Sequence, residues 1–491
     1  MIELLGNRIV TLALVWGALP GAHLVDLGYS FFSLEVFALS LIFAAVGAIL
    51  GYVFRRKYLY GIALATSIYV FVDIYFFYSQ LWVFCLTVLV CLTVLLLIEK
   101  VTAPINRMLS AFALFFFLST ALKPEMPLVQ VEGPLNSNIN QDVSAVAAAS
   151  GTPILHIILD EQMSPLAEPA TLPDNHPSHQ MLQDYEDLGF RIFDKVAAPH
   201  HWTLRSVGSL MKLELDTRNY KKLPRGSRYS YVIEENRYLD RLLENNYEPV
   251  FLQNSFFNLC GTEPRVECRT YRRANNMGVF ERMDLPVGQR VSLAFLGLIR
   301  DYTNTGGDNK NLLPYVWFHR KILTRNFPIP QTFKQFSSPP FALELIKESV
   351  AEIETMRAGD SLFLHFLLPH NPFVLDSACN MNPIKDWRFL VHLKYDYPVE
   401  EVHKNYWDQV ECTHRTLMQI FSKLQREDIY IIVHGDHGAR LSGKNADPTT
   451  DDKLLSFLAI RGPSINPGRI SERRDMIQTF SNEFEKIMEA R

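Results

Sequence analysis

Residues 430 to 440 read YIIVHGDHGAR, an apolar run that passes straight into His434, Asp436 and His437 with Gly435 and Gly438 between and after them. A turn has use for the glycines but none for an acid beside an imidazole. Three other polar clusters follow apolar runs in the same way. ILHIIL ends in Asp160-Glu161, RIFDKV leads into AAPHHWTLRS with Thr203, and SLFLHFLL runs into Pro369-His370-Asn371-Pro372. Asp and His together suit a divalent cation, zinc or manganese foremost and calcium third, because carboxylate is a hard ligand and imidazole a borderline one. A hydroxyl beside such an ion loses its proton more readily and becomes a nucleophile at neutral pH. Thr203 is the best-placed hydroxyl. Ser206 is its rival, with Ser209 further along, although Ser and Thr at a helix start commonly serve as caps.

These clusters need elements to carry them. The pattern predicts strands at 154–159, 191–196, 248–252, 361–368, 429–434 and 456–461, with helices near 178–187, 228–246, 342–357 and 400–425. Strands separated by helices imply an α/β fold with a doubly wound, mostly parallel sheet. In such sheets ligands bind beyond the carboxyl ends of the strands, which is where all four clusters fall. One Asp after a strand is an ordinary helix cap, but four polar clusters at four strand ends are a site. His156 and His365 lie inside strands and read as packed core. His200 and His201, just before Thr203, read as substrate contacts.

The first 121 residues differ from the rest. They are a series of apolar runs, and a helix needs about 20 such residues to cross a bilayer. Candidate spans are 9–28, 32–54, 58–78, 81–98 and 105–121, the first interrupted by Pro20, His23 and Asp26. Arg55 to Lys57 and the Lys100–Arg107 gap place two loops in the cytoplasm, so five spans start inside and finish outside. The expected organisation is a transmembrane bundle of about five helices over 1–121, a linker over 122–150, and an extracytoplasmic catalytic domain over 151–491. The protein is expected in the cytoplasmic membrane, as a multi-pass chain. Asp26, Glu35 and Asp73 fall within spans, toward the outer leaflet. They either reach water at span ends, or meet a lipid headgroup or anchor the soluble domain. The formal net charge of -4 and the absence of a basic stripe argue against nucleic acid as a partner. No internal repeat is found.

The strand followed by Asp-Glu, the Thr loop, the PHNPF stretch and GDHG resemble the alkaline phosphatase and sulfatase superfamily. With five spans before an outside domain, the chain is similar to lipoteichoic acid synthases and phosphoethanolamine transferases. The resemblance implies Asp160, Asp436 and His437 as ligands of a single divalent ion, and Thr203 as the nucleophile that also touches the metal. His370 would bind the transferred group or protonate the leaving oxygen. Glu161 would be a further ligand, and Arg440 or Arg205 would hold a substrate anion. The sequence departs from true sulfatases, since HHWTLRSVGSL has no Cys or Ser followed by x-Pro-x-Arg. It also lacks any histidine after His437, which argues against a second metal.

Cys260, Cys268, Cys379 and Cys412 lie in the outside domain, where disulfides form. Of the three possible pairings, 260–268 with 379–412 is expected; Cys85 and Cys91 read as apolar filling. The expected function is transfer of a phosphoryl-linked group from a membrane lipid donor to a glycan or lipid acceptor of the cell envelope. The alternative is a hydrolase of the same kind, a phosphodiesterase or sulfuric ester hydrolase, with water as acceptor. A non-catalytic scaffold is disfavoured by the complete ligand set. The sequence is silent on oligomeric state.

Overall fold

ILHIIL and YIIVHG carry apolar side chains on both faces, so each must lie in the middle of a sheet covered on two sides. In the computed structural model of the chain every residue of both strands is buried. The structure describes residues 7–54, 60, 64, 102–122, 130–132, 151–167, 177–224, 227–261, 263–271, 277–304, 338–383, 386–387, 399–424, 426–441 and 451–490. Their strands are β1 (Gln130–Glu132), β2 (Ile154–Leu159), β3 (Arg191–Ala197), β4 (Lys221–Lys222), β5 (Tyr231–Val232), β6 (Glu248–Asn254), β7 (Phe257–Asn258), β8 (Glu267–Tyr271), β9 (Asp360–Phe366), β10 (Tyr430–Gly435), β11 (Leu455–Arg461), β12 (Gly468–Ile470) and β13 (Arg474–Asp475).

Ten of them form one sheet in the order β1-β8-β6-β9-β2-β10-β11-β3-β12, with β13 also on β3; β4, β5 and β7 make a small second sheet. The central strands β6, β9, β2 and β10 pair in parallel. The sheet is mostly parallel as expected, but β11 runs antiparallel to both β10 and β3. An antiparallel neighbour needs no crossover helix. Because β11 is reversed, β3 points the same way as β2, β9 and β10. Their four carboxyl ends therefore open on one edge.

The expected helix at 228–246 is shorter, Arg237–Glu244, because Asn236 caps it by accepting from the Leu239 amide and β5 occupies part of the preceding stretch. Among the described residues two helices of more than ten residues were not expected: Met476–Glu489, started by Asp475 accepting from the Gln478 amide, and Val287–Asn304. Cys260–Cys268 and Cys379–Cys412 are both disulfide-bonded, with Cα separations of 6.3 and 5.0 Å, the pairing the sequence suggested.

The chain divides into two compact units, Met1–Met126 with Ala274–Ser337, and Pro127–Arg273 with Ser338–Arg491. The second unit holds the sheet. Among the described residues the first holds three helices long and apolar enough to cross a membrane: Arg8–Asp26, Leu34–Val53 and Ala103–Thr120. Pro20 is accommodated within the first of these. The expected spans 58–78 and 81–98 lie outside the described residues except for Tyr60 and Leu64, as do Asp73, Cys85, Cys91 and most of the 122–150 linker. The expectation that 151–491 is one unbroken domain is corrected at 274–337. Residues 277–304 pack with the apolar helices, and Arg290 pairs with the buried Glu35 at 2.9 Å. Glu35 thus pairs with a later residue of its own compact unit rather than with the unit that holds the sheet.

Candidate active site

The edge formed by the carboxyl ends of β2, β3, β9 and β10 gathers the residues singled out above. β2 ends at Leu159, and the Asp160 amide continues the pairing by donating to the Phe366 carbonyl. Glu161 then adopts φ 64°, a left-handed conformation that is uncommon outside glycine and recurs at functional sites. That turn sends the Glu161 amide to Asp436 Oδ1 at 2.9 Å. The His437 amide donates to the same oxygen at 2.9 Å. Buried Tyr406 clamps the turn, donating its hydroxyl to the Glu161 carbonyl and accepting from the Met163 amide.

The glycines of GDHG act differently from what the sequence suggests. Neither has positive φ, so neither is there to make a tight turn. A Cβ on Gly435 would meet the Gln162 carbonyl oxygen at 2.2 Å, and one on Gly438 would meet the Asp452 carbonyl oxygen at 2.2 Å. Both are required by close backbone approach, which draws the segment against the neighbouring loops.

Helix Thr203–Lys212 follows β3 and buries Leu204, Val207, Leu210 and Met211 against the core. This apolar face fixes Thr203 as the first helical residue. Trp202 holds the N-cap position and makes no side-chain cap hydrogen bond. The Thr203 hydroxyl lies instead 3.1 Å from Asp160 Oδ1 and 3.2 Å from His437 Nε2. Ser206 donates to the His200 carbonyl at 2.6 Å and Ser209 to the Arg205 carbonyl at 3.1 Å, so both rival hydroxyls are spent on backbone.

Among the described residues, Asp160, Asp436 and His437 offer ligand atoms that all lie within 4.8 Å of one another, and all three are buried. The group suits a divalent ion on three grounds. His437 Nδ1 faces the Gly438 carbonyl at 2.7 Å, which assigns the ring proton there and turns the Nε2 lone pair into the cluster. Asp436 Oδ2 is buried, meets no donor in hydrogen-bonding geometry, and lies 3.4 Å from His437 Nε2. Burial also pushes the Asp436 carboxyl up to about 7, with Asp160 adding to the rise and His437 opposing it. Two buried carboxylates this close stay ionised together only with positive charge beside them, which a divalent ion would supply.

Glu161 stands apart from that cluster. Its carboxylate pairs with Arg440 and accepts from Asn371 Nδ2 at 3.0 Å and the Asn371 amide at 3.3 Å. His370 Nε2 lies 3.7 Å from the same carboxylate. Glu161 thus joins the loops after β2, β9 and β10 rather than lying in the ligand group. Arg440 meets Glu161, while Arg205 meets His200 Nε2 at 2.7 Å and covers the Trp202 ring at 5.5 Å. His200 and His201 stack on each other beside Trp202.

Sequence reading missed two supporting residues, Gln409 and Tyr406, and read a third, His365, as packed core. Gln409 is fully buried; its Nε2 donates to the carbonyls of Pro369 and His370, and its Oε1 accepts from the Val374 amide at 3.1 Å. Tyr406 holds the Glu161 turn, and His365 Nε2 lies 3.8 Å from Asp160 Oδ2. The helical spacing of the buried face of Val399–Lys423 marks Tyr406 and Gln409 as inward-facing, but nothing in it names their partners.

No family model and no curated protein matches the chain. Several solved structures are similar. The C-terminal periplasmic domain of EcEptC from Escherichia coli is 8% identical, with 74% of this chain and 86% of that one covered at a TM-score of 0.39. The soluble domain of lipooligosaccharide phosphoethanolamine transferase A from Neisseria meningitidis is 12% identical over 70% and 89%, at 0.35. A protein of the alkaline phosphatase superfamily from Vibrio parahaemolyticus is 12% identical over 66% and 62%, at 0.34. The chain is similar to these proteins at low identity, and its site is described by its own geometry.

Proposed function

We propose that the protein is a membrane-anchored phosphotransferase that moves a phosphoryl-linked group, of phosphoethanolamine or phosphoglycerol type, from a lipid donor to a cell-envelope acceptor. The observation that supports this most directly is the Thr203 hydroxyl, set about 3 Å from Asp160 and His437 beside a buried group of metal-ligand type. Asp160, Asp436 and His437, with Thr203 Oγ1, would hold one divalent ion, zinc or manganese by the donor set. When bound, that ion supplies positive charge that lowers the hydroxyl pKa and neutralises charge on the phosphoryl group.

The chain's own residues perform the remaining steps. Asp160 orients the Thr203 hydroxyl and takes its proton as the oxygen attacks phosphorus and the bond from phosphorus to the lipid oxygen breaks. The leaving lipid oxygen takes a proton from His370 at the rim, whose ring is positioned by the Asn371 carbonyl and by Glu161. The acceptor hydroxyl then gives its proton to His370 and attacks the Thr203-linked phosphorus; the bond to Thr203 Oγ1 breaks, and that oxygen recovers the proton from Asp160. The amino end of helix Thr203–Lys212 favours the phosphoryl anion there. Arg440 would contribute to anion binding while sharing its guanidinium with Glu161. A catalytic domain on the outer side of the cytoplasmic membrane accords with the basic loops read from the sequence, and anchoring would raise the effective concentration of a lipid donor.

The test is release of labelled headgroup from phospholipid vesicles by the full chain, with and without candidate acceptors, alongside the mass of the Thr203 peptide. Headgroup should appear on Thr203 and pass on when acceptor is added. Release unaltered by Thr203→Ala would contradict the reading, and release to water alone would favour the hydrolase.

A further inference from the structure

We infer that residues 287–299 form a re-entrant helix, a part of the later chain that dips into the bilayer beside the second span. This rests on the N-terminal helices spanning a membrane and is independent of the chemistry at Thr203. Helix Val287–Asn304 has an apolar portion, Val287–Leu298, too short to cross alone. Between Arg290 and Arg300 the sequence VSLAFLGLI is uncharged. At 1.5 Å per residue it extends about 14 Å, roughly half of a ~30 Å hydrocarbon core.

Two contacts give its direction and depth. Arg290 pairs with Glu35, in the first turn of Leu34–Val53, at 2.9 Å. Further on, the Phe295 ring lies 6.3 Å from that of Phe43. From Glu35 to Phe43 the span covers about 12 Å, so the two helices run in the same direction away from the Glu35 end. At that level the span presents Leu41, Ile42 and Val46 outward, as expected of a surface facing lipid. A helix lying against Phe43 is therefore at hydrocarbon depth.

The entry is fastened. The Gly278 amide donates to the Leu27 carbonyl at 3.3 Å, where a Cβ on Gly278 would meet the Gly28 carbonyl oxygen at 1.9 Å. Glu281 accepts from the Ser30 amide at 3.0 Å. Glu35 is 1% exposed, and a carboxylate at that depth is retained only with a cationic partner, which Arg290 provides. Connectivity supplies the rest. The segment belongs to the same compact unit as the apolar helices, while the chain before Ala274 and after Ser337 belongs to the sheet unit. Leu293, Ala294 and Leu298 are fully buried, whereas Val291, Phe295 and Leu296 stay partly exposed, and the partner of that side is lipid acyl chain.

Nitroxide labels at Ser292→Cys and Leu296→Cys test this, in the full chain reconstituted in phospholipid vesicles with Cys85 and Cys91 changed to Ser. The references are Leu41→Cys on the span and Leu215→Cys on the sheet unit, both more than half exposed. At 296 the label should be open to oxygen and closed to a soluble nickel chelate, as at 41. Nickel access equal to that at 215 would overturn the inference, and so would exclusion of both reagents, which marks a protein interior. Arg290→Glu should raise nickel access at 296, and adding Glu35→Arg should reverse it. Unchanged access in Arg290→Glu would remove the ion pair as the fastening.

Discussion

His434 and His437 stand three residues apart where β10 ends, and both are fully buried. Each ring turns Nδ1 to the carbonyl of the next residue, His434 to Gly435 at 2.9 Å and His437 to Gly438 at 2.7 Å. Each therefore presents an Nε2 lone pair. For His434 that lone pair meets His156 Nε2 at 2.8 Å, whose other nitrogen faces the Tyr238 hydroxyl at 3.0 Å. For His437 it meets the Thr203 hydroxyl beside two carboxylates. The same local chemistry is core in one case and site in the other. What separates them is whether neighbouring strands contribute interior side chains or their carboxyl ends.

The comparison breaks most visibly under paired alanine changes. His437→Ala should lower turnover by about a thousandfold or more and release metal, while His434→Ala should keep metal binding and lose about 2–3 kcal/mol of stability. Chemical denaturation and metal analysis of the two variants would separate them; metal loss from both would merge the two histidines into one function. A smaller kinetic effect belongs to His370→Ala, where metal stays and transfer slows roughly a hundredfold, read by single-turnover rates.

Two stability predictions sharpen the core side. Replacing Cys379 and Cys412 together by Ser opens a loop of sequence separation 33, which should cost about 3–4 kcal/mol in urea unfolding. The His434 ring is held down to about 4 by burial, and burial likewise lowers His156. The folded state refuses protons that the unfolded chain accepts below about 6.5. The stability from His434 is therefore complete above that pH and is lost as the pH falls toward 4, on the order of 3 kcal/mol. A stability–pH curve of wild type beside His434→Ala reads it, and parallel curves would contradict it.

Much of this was legible in the sequence for one reason: a strand buried on both faces writes a continuous apolar run, and its end is marked by the first polar residues. Asp160, Thr203, His370, Asp436 and His437 were picked out in that way as candidates, and the fold brings them to one edge of the sheet. Direction was not legible, since LSFLAIR reads the same whether β11 runs parallel or antiparallel. The role of Gly435 and Gly438 was misread because close approach depends on Gln162 and Asp452, which only the fold brings near. Gln409 left no signal as a staple for the His370 loop. The segment at 287–304 was passed over because its apolar stretch is half the length that marks a span, and its ionic partner Glu35 lies far away in sequence.

Metal content per chain, measured beside turnover for Asp436→Asn and Thr203→Ala, tests the central claim most directly. The site described here requires Asp436→Asn to lose metal and turnover together, and Thr203→Ala to lose the covalent intermediate and turnover while retaining the metal. Full metal and full turnover in Asp436→Asn would contradict it, and would leave GDHG as no more than the end of a strand.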